Sequence, residues 1–217
     1  LCLLAIDLLF GLLHFLLLTD LLSSASFSLE SDRGYPESYQ YMKILLAVGL
    51  LAAVFRKTRM PAYAIWSLLF FYLLIDDAFS IHETFGAHAA AAFGYMPALG
   101  LRAQDFGELT VSALSGALFL LPLAFFYSRG TDADRAASRH LLLLLLALAF
   151  FGIFVDMLHV AIDAGWKVQF LLGALEDGGE MVTMSIMAWY AFLLYENDGN
   201  TRGYFSGAAL AAQEQAA

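Results

Sequence analysis

The chain has 217 residues, of which 61% are hydrophobic and only 14% charged, and its formal charge is −9. Its mean hydropathy is +0.72. Because a soluble domain carries charge on roughly a quarter of its residues, this composition excludes an ordinary soluble fold. The single cysteine, Cys2, excludes an internal disulfide and a cysteine-based metal cage, and no basic stripe indicates nucleic-acid binding.

Apolar runs close to the ~20 residues that cross a bilayer recur along the chain. They predict an all-α, multipass transmembrane helical bundle of about six spans, at roughly 1–22, 41–55, 60–83, 106–127, 139–163 and 170–195. Residues 1–195 then form a single bundle, and residues 196–217 a polar, mobile cytoplasmic tail. The second span carries only Lys43 near its start and has no polar stripe, so we expect it at the periphery.

Positive charges concentrate in two loops that lie two spans apart. Arg56, Lys57 and Arg59 follow the second span, and the segment 129–139 with its arginines follows the fourth. Basic loops stay in the cytoplasm. We therefore expect both termini to be cytoplasmic (N-in/C-in) in a bacterial-type plasma or inner membrane.

Acidic and histidine residues interrupt the apolar spans at the ends that this orientation places outside. They lie at 76–83 in the third span, at Glu108 in the fourth, at 156–163 in the fifth and at 176–180 in the sixth. An ionisable residue inside a membrane costs ~2.5 kcal/mol or more and usually serves a function. We therefore expect a polar site that faces the outer side of the membrane.

Within each stretch, polar residues share one helix face. At ~100° per residue, residues three, four or seven apart form a stripe that can face the bundle axis. The stripes are Asp76, Ser80 and Glu83; Glu108, Ser112 and Ser115; Asp156, His159 and Asp163; Glu176, Glu180 and Thr183; and, in the first span, Asp7, Gly11 and His14. Asp77 and His82 lie about 100° off the third-span stripe, so either that helix loosens near Ser80 or His82 serves a loop.

Carboxylates and imidazoles without thiolates suit iron, manganese, zinc or copper, and helix bundles hold metals on inward-facing Glu and Glu/Asp-x-x-His pairs. Asp156 and His159 form such a pair, so we predict a carboxylate–histidine site for one or two divalent metals. The candidate ligands are Glu83, Glu108, Asp156, His159, Glu180, His14 and His82. The metal would activate water or oxygen, with Asp76 or Glu176 as general base. This describes a hydrolase or an oxidoreductase that acts on a lipid-like or membrane-soluble substrate.

Other functions use the same residues. Chains of Asp, Glu and His line proton and cation pathways in transporters, with Asp7 continuing a path from His14, although apolar inner halves of the later spans favour a pocket. A third alternative is a haem-binding or accessory subunit of a larger membrane complex, in which His14 and His159 could hold the haem. A homo-oligomer is a separate expectation for the partners of the chain. A structural role as helix contacts is a further alternative. Basic partners inside the spans are scarce, however, so facing acids must take up protons or bind a cation.

Overall fold

The computed structural model describes residues 1–162 and 165–201, and within them all regular elements are helical. The first five helices are α1 Cys2–Leu18, α2 Tyr35–Thr58, α3 Pro61–Ala78, α4 Ile81–Phe93 and α5 Ala103–Arg129. Helix α6, Asp132–Ala149, continues through a π-helical turn, Phe150–Val155, into α7, Asp156–Ala161, and α8 is Trp166–Glu196. The all-α prediction is confirmed. Asp163 and residues 202–217 of the predicted tail lie outside the described residues.

In the part of the chain that is described, four helical stretches are long and apolar enough to cross a membrane. They are Tyr35–Thr58, Pro61–Ala78, Ala103–Arg129 and the continuous Asp132–Ala161. Helix α1 is apolar but shorter, and α8 is 31 residues long but carries several acids in its first half. In the most apolar 18-residue stretch of α5, only 6% of the residues are buried inside the protein. Its exposed leucines form the kind of apolar surface that contacts lipid or another protein.

Two helices begin before their apolar runs, because caps and proline extend them. Helix α2 starts six residues earlier than expected, with Pro36 in its first turn, where proline's fixed φ favours a helix start. Helix α6 starts at Asp132 because Thr131 caps it. The Thr131 side chain accepts the Asp134 N–H, and the Asp134 carboxylate accepts the Thr131 N–H at 2.9 Å.

The expectation that the second span is peripheral is wrong. Helix α2 packs against both α3 and α8, and Ala47, Leu51 and Val54 on one of its faces are fully buried. These residues join Tyr63 and Trp66 of α3 in the hydrophobic core. A span that is apolar all round does not reveal which face is buried, so the stripe argument could not place it.

The third span does not continue to residue 83. Helix α3 ends at Ala78, and Ser80 adopts a left-handed conformation with φ 47°, after which the chain turns into α4. Of the two alternatives for His82, the structure has the one in which the helix is interrupted near Ser80, and the stripe of Asp76, Ser80 and Glu83 does not form. Helix α4 packs on α5 so closely that a Cβ on Gly107 would overlap the backbone of α4.

Candidate functional site

A cavity of about 300 Å³ lies between α3, α5, α6, the π-helical turn and α8. Most of its wall is apolar and comes from leucines of α3, α5 and α6 together with Ile153 and Met184. Its polar lining residues are Tyr72, Asp76, Asp77, His82, Ser112, Ser115 and Glu180. The polar residues that α3, α5 and α8 contribute lie at the end of the cavity nearest the α3–α4 turn. The cavity therefore has a polar end and an apolar body.

Asp76 and His82 form a hydrogen-bonded dyad at the polar end. The left-handed Ser80 turns the first residues of α4 back onto the end of α3. As a result, Asp76 Oδ1 accepts the His82 backbone N–H at 2.9 Å, and Asp76 Oδ2 lies 3.0 Å from His82 Nδ1. Since an ionised carboxylate can only accept, the ring proton sits on Nδ1. His82 Nε2 is therefore left to take a proton or another ligand.

The dyad favours the charged imidazole. The hydrogen bond to Asp76 raises the pKa of His82 above its ordinary value, and this effect outweighs the opposing effect of burial. The Tyr72 hydroxyl lies 3.4 Å from Asp76 Oδ1 and 2.7 Å from Ser115 Oγ. Asp76 is thus held from both α3 and α4, while Ser115 ties this end of the cavity to α5.

Glu180 lines the cavity where its carboxylate lies against Gly152 of the π-helical turn. A Cβ added to Gly152 would overlap Glu180 Oε1, and one added to Gly179 would overlap the Phe151 ring. The two glycines therefore let α8 approach the turn and let the Glu180 carboxylate lie against it. From there Glu180 interacts electrostatically with Asp77 across the cavity. Such π-helical turns occur frequently at functional sites.

A second carboxylate–histidine pair lies outside the cavity lining. His159 Nδ1 is 3.0 Å from Glu176 Oε2, and both side chains are largely buried. Glu30 of the loop before α2 also reaches this region, because a Cβ on Gly173 would lie 2.6 Å from Glu30 Oε1 and 3.4 Å from His159 Cε1. Asp177 lies within electrostatic range of the same groups.

His14 is buried, with 3% of its surface exposed, and its hydrogen bonds fix its tautomer. Its Nδ1 accepts the Leu29 backbone N–H at 3.2 Å and lies 3.2 Å from Ser28 Oγ. A neutral ring therefore carries its proton on Nε2, which has no hydrogen-bond partner among the described residues. This arrangement does not favour His14 as a ligand to a metal or to haem iron, because either would need the Nε2 lone pair.

The remaining predicted ligands are spread over the same end of the bundle. Glu83 is exposed in the first turn of α4. Glu108 is half-buried, accepts a 2.8 Å hydrogen bond from Gln104 and packs on Gly86. Asp156 begins α7 and interacts electrostatically with Glu176, Glu108 and His159. Among residues 1–162 and 165–201, no three His, Cys, Asp or Glu side chains are close enough together to hold a metal ion.

Several contributors to the site were not singled out by the sequence, among them Tyr72, which contacts Asp76 and Ser115. Asp177 and Glu30 stand beside the second dyad, and Gly152 makes room for Glu180. Asp177 adjoins Glu176 in the sequence and could have been included. Glu30 lies in a loop, and the role of Gly152 depends on a π-helical turn, so helical periodicity gives no signal for either of them.

The fold and the cavity describe an all-helical protein with candidate membrane spans and an amphipathic pocket that an Asp–His dyad closes at one end. Residues 6–195 match the family described as a domain of unknown function, DUF8692, and the chain belongs to this family. No curated protein and no solved structure matches it.

Proposed function

We propose that this chain is an integral membrane protein whose cavity binds a lipid-like or membrane-soluble molecule taken from the bilayer. The observation that carries the proposal is the division of one cavity into an apolar body and a polar end. Small-molecule pockets typically enclose roughly 300–1,000 Å³ and combine mostly apolar walls with a few placed polar groups. The present cavity has the size and the division that an amphipathic ligand needs.

The proposal includes six spans with both termini in the cytoplasm. Helices α1 and α8 would add two spans to the four stretches with sufficient length and hydropathy. The basic groups Arg56, Lys57 and Arg59 then lie on the cytoplasmic side. In this orientation the α3–α4 turn, both dyads and the polar end of the cavity face the outer half of the membrane.

Where the bound molecule is also a substrate, we assign the general base to His82 rather than to Asp76. Both Asp76 oxygens are occupied by His82, so Asp76 fixes the tautomer of the ring and stabilises the imidazolium. His82 Nε2 then accepts the proton. In the second dyad one oxygen of Glu176, Oε2, bonds to His159 Nδ1, so Glu176 would position the ring and His159 Nε2 would be the proton acceptor.

Filling the cavity tests the proposal. Gly116 lines it, and a Cβ added there meets no atom within 4 Å. Gly49 of α2 is exposed and equally open. We expect Gly116→Leu to abolish labelling of cavity residues by a photoreactive alkyl probe in nanodiscs, and the matched Gly49→Leu to leave it unchanged. Equal labelling in both variants, measured by peptide mass spectrometry, would contradict the proposal.

A divalent metal is a second candidate for the polar end of the bundle. Histidines that bind metals usually donate their other ring N–H to a carboxylate, and both His82 and His159 have this orientation. Side chains such as Glu180 or Asp156 would have to move to complete a coordination shell of iron, zinc, manganese or copper.

Metal analysis of the purified protein tests this candidate. A metal site predicts stoichiometric metal that is lost in His159→Ala and Glu180→Ala and kept in His88→Ala, which removes an exposed histidine of α4. The absence of stoichiometric metal after purification without chelators, with no uptake on adding any of the four metals, would exclude it.

A further inference from the structure

The polar end of the cavity carries an excess of negative groups. Three carboxylates, Asp76, Asp77 and Glu180, line it together with one imidazole, and the described lining residues include neither lysine nor arginine. Asp76 already bonds to His82. Asp77 and Glu180 have no such partner among the described residues, although they interact with each other across the cavity. Neighbouring carboxylates disfavour each other's charged form, and a cation or a proton between them relieves this effect.

The position of Glu180 is set by backbone packing and not by a partner side chain. Its carboxylate lies against Gly152 of the π-helical turn, in the space that a Cβ on this residue would occupy. Asp77 lines the same cavity from the last turn of α3, next to Asp76 of the dyad. The two carboxylates therefore line one cavity from different helices. This is an arrangement in which a positively charged head group can contact both.

The apolar body fits a chain that continues from such a head group. On α3, the lining extends from Asp76 back to Leu69, a distance of about 10 Å at the helical rise of 1.5 Å per residue. Leu142, Leu145 and Met184 close the far part of the cavity. A single unbranched alkyl chain matches this shape, while the charge of the polar end selects the head group.

We infer that the cavity is a binding site for a membrane-soluble amine whose protonated nitrogen lies between Asp77 and Glu180 and whose alkyl chain fills the leucine-lined body. This inference rests on the proposed function and names its ligand class. A neutral amine can enter from the bilayer. One proton then passes from a carboxyl oxygen to the amine nitrogen, giving an ammonium–carboxylate pair, and no other bond changes.

Three ligands with ten carbon atoms each separate the head-group effect from chain binding: decylamine, decanol and decanoate. Their occupancy is measured by native mass spectrometry of the detergent-solubilised protein. Comparing each variant with the wild type at equal ligand concentration cancels the partitioning of the ligand into detergent. We expect wild-type protein to bind decylamine most tightly and decanoate least.

Isosteric variants then test the two carboxylates. Asp77→Asn and Glu180→Gln should each reduce the affinity for decylamine about tenfold or more and leave decanol unchanged. Glu83→Gln is the matched control, because it removes an exposed carboxylate of α4. Gly152→Ala keeps every charge but displaces the flexible Glu180 carboxylate, and it should also weaken decylamine binding.

The outcomes distinguish the inference from the proposed function. Equal binding of decylamine and decanol by the wild type overturns the inference, while cavity binding stands if Gly116→Leu still abolishes both. Loss of decylamine binding in Glu83→Gln to the same extent also overturns it, since the effect would then be one of surface charge. If none of the three ligands responds to Gly116→Leu, cavity binding itself fails.

Discussion

A buried lysine is the residue that most alters the expected charge balance of the bundle. Lys43 Nζ lies 2.9 Å from Asp7 Oδ1, 2.7 Å from the Met181 carbonyl and 3.2 Å from Ser185 Oγ. The lysine and aspartate side chains are only 1% and 3% exposed. Asp7, which the sequence suggested as the inward end of a proton path, is therefore engaged in an ion pair that joins α1, α2 and α8.

Breaking this pair should destabilise the fold strongly. Lys43→Met leaves Asp7 buried without a counter-ion, an effect of about 3–5 kcal/mol in other proteins. The double variant Asp7→Leu with Lys43→Met should recover much of the stability, because apolar replacement of a whole buried pair is often neutral. Thermal unfolding in detergent measures both.

Lys57→Met is the control for that comparison. Lys57 pairs with Asp198, but the two side chains are 40% and 72% exposed, and such pairs contribute about 0–1 kcal/mol. If Lys43→Met unfolds at the same temperature as Lys57→Met, or if the double variant is no better than the single one, the coupled buried pair is refuted.

At the scale of elements, the sequence predicted the apolar helices but not the irregularities that build the site. The off-stripe phase of His82 left two alternatives open, a break near Ser80 or a loop role for His82, and the structure has the break. The phase could not indicate that the break returns His82 onto Asp76, because that depends on a left-handed φ at a residue other than glycine, which is uncommon and leaves no periodic signal.

Helical periodicity could not predict the π-helical turn either. The turn contains Gly152, against which the Glu180 carboxylate lies. Residues Phe150–Val155 change the helical register within the fifth span. A face assigned at 100° per residue before the turn therefore does not continue as the same face after it. The pairs Asp76–His82 and His159–Glu176 each join two helices. Helical periodicity describes one helix at a time and cannot predict pairs between helices.

At the scale of the whole molecule, composition predicted the all-helical architecture, and hydropathy indicated spans that the structure supports in four helical stretches of its described part. The central position of α2 was missed, because leucine-rich helices look alike on their lipid and protein faces. The candidate acids do lie toward one end of the bundle, but among the described residues no three His, Cys, Asp or Glu side chains form a group that could hold a metal ion.

A structure of the protein in lipid nanodiscs saturated with decylamine would show whether the leucine-lined cavity takes up an amphipathic molecule. We expect elongated density that starts between Asp77 and Glu180, beside the Asp76–His82 dyad, and continues along Leu145 toward Met184. A cavity that stays empty at saturation, with the ligand bound only on the lipid-facing surface, would contradict the proposal.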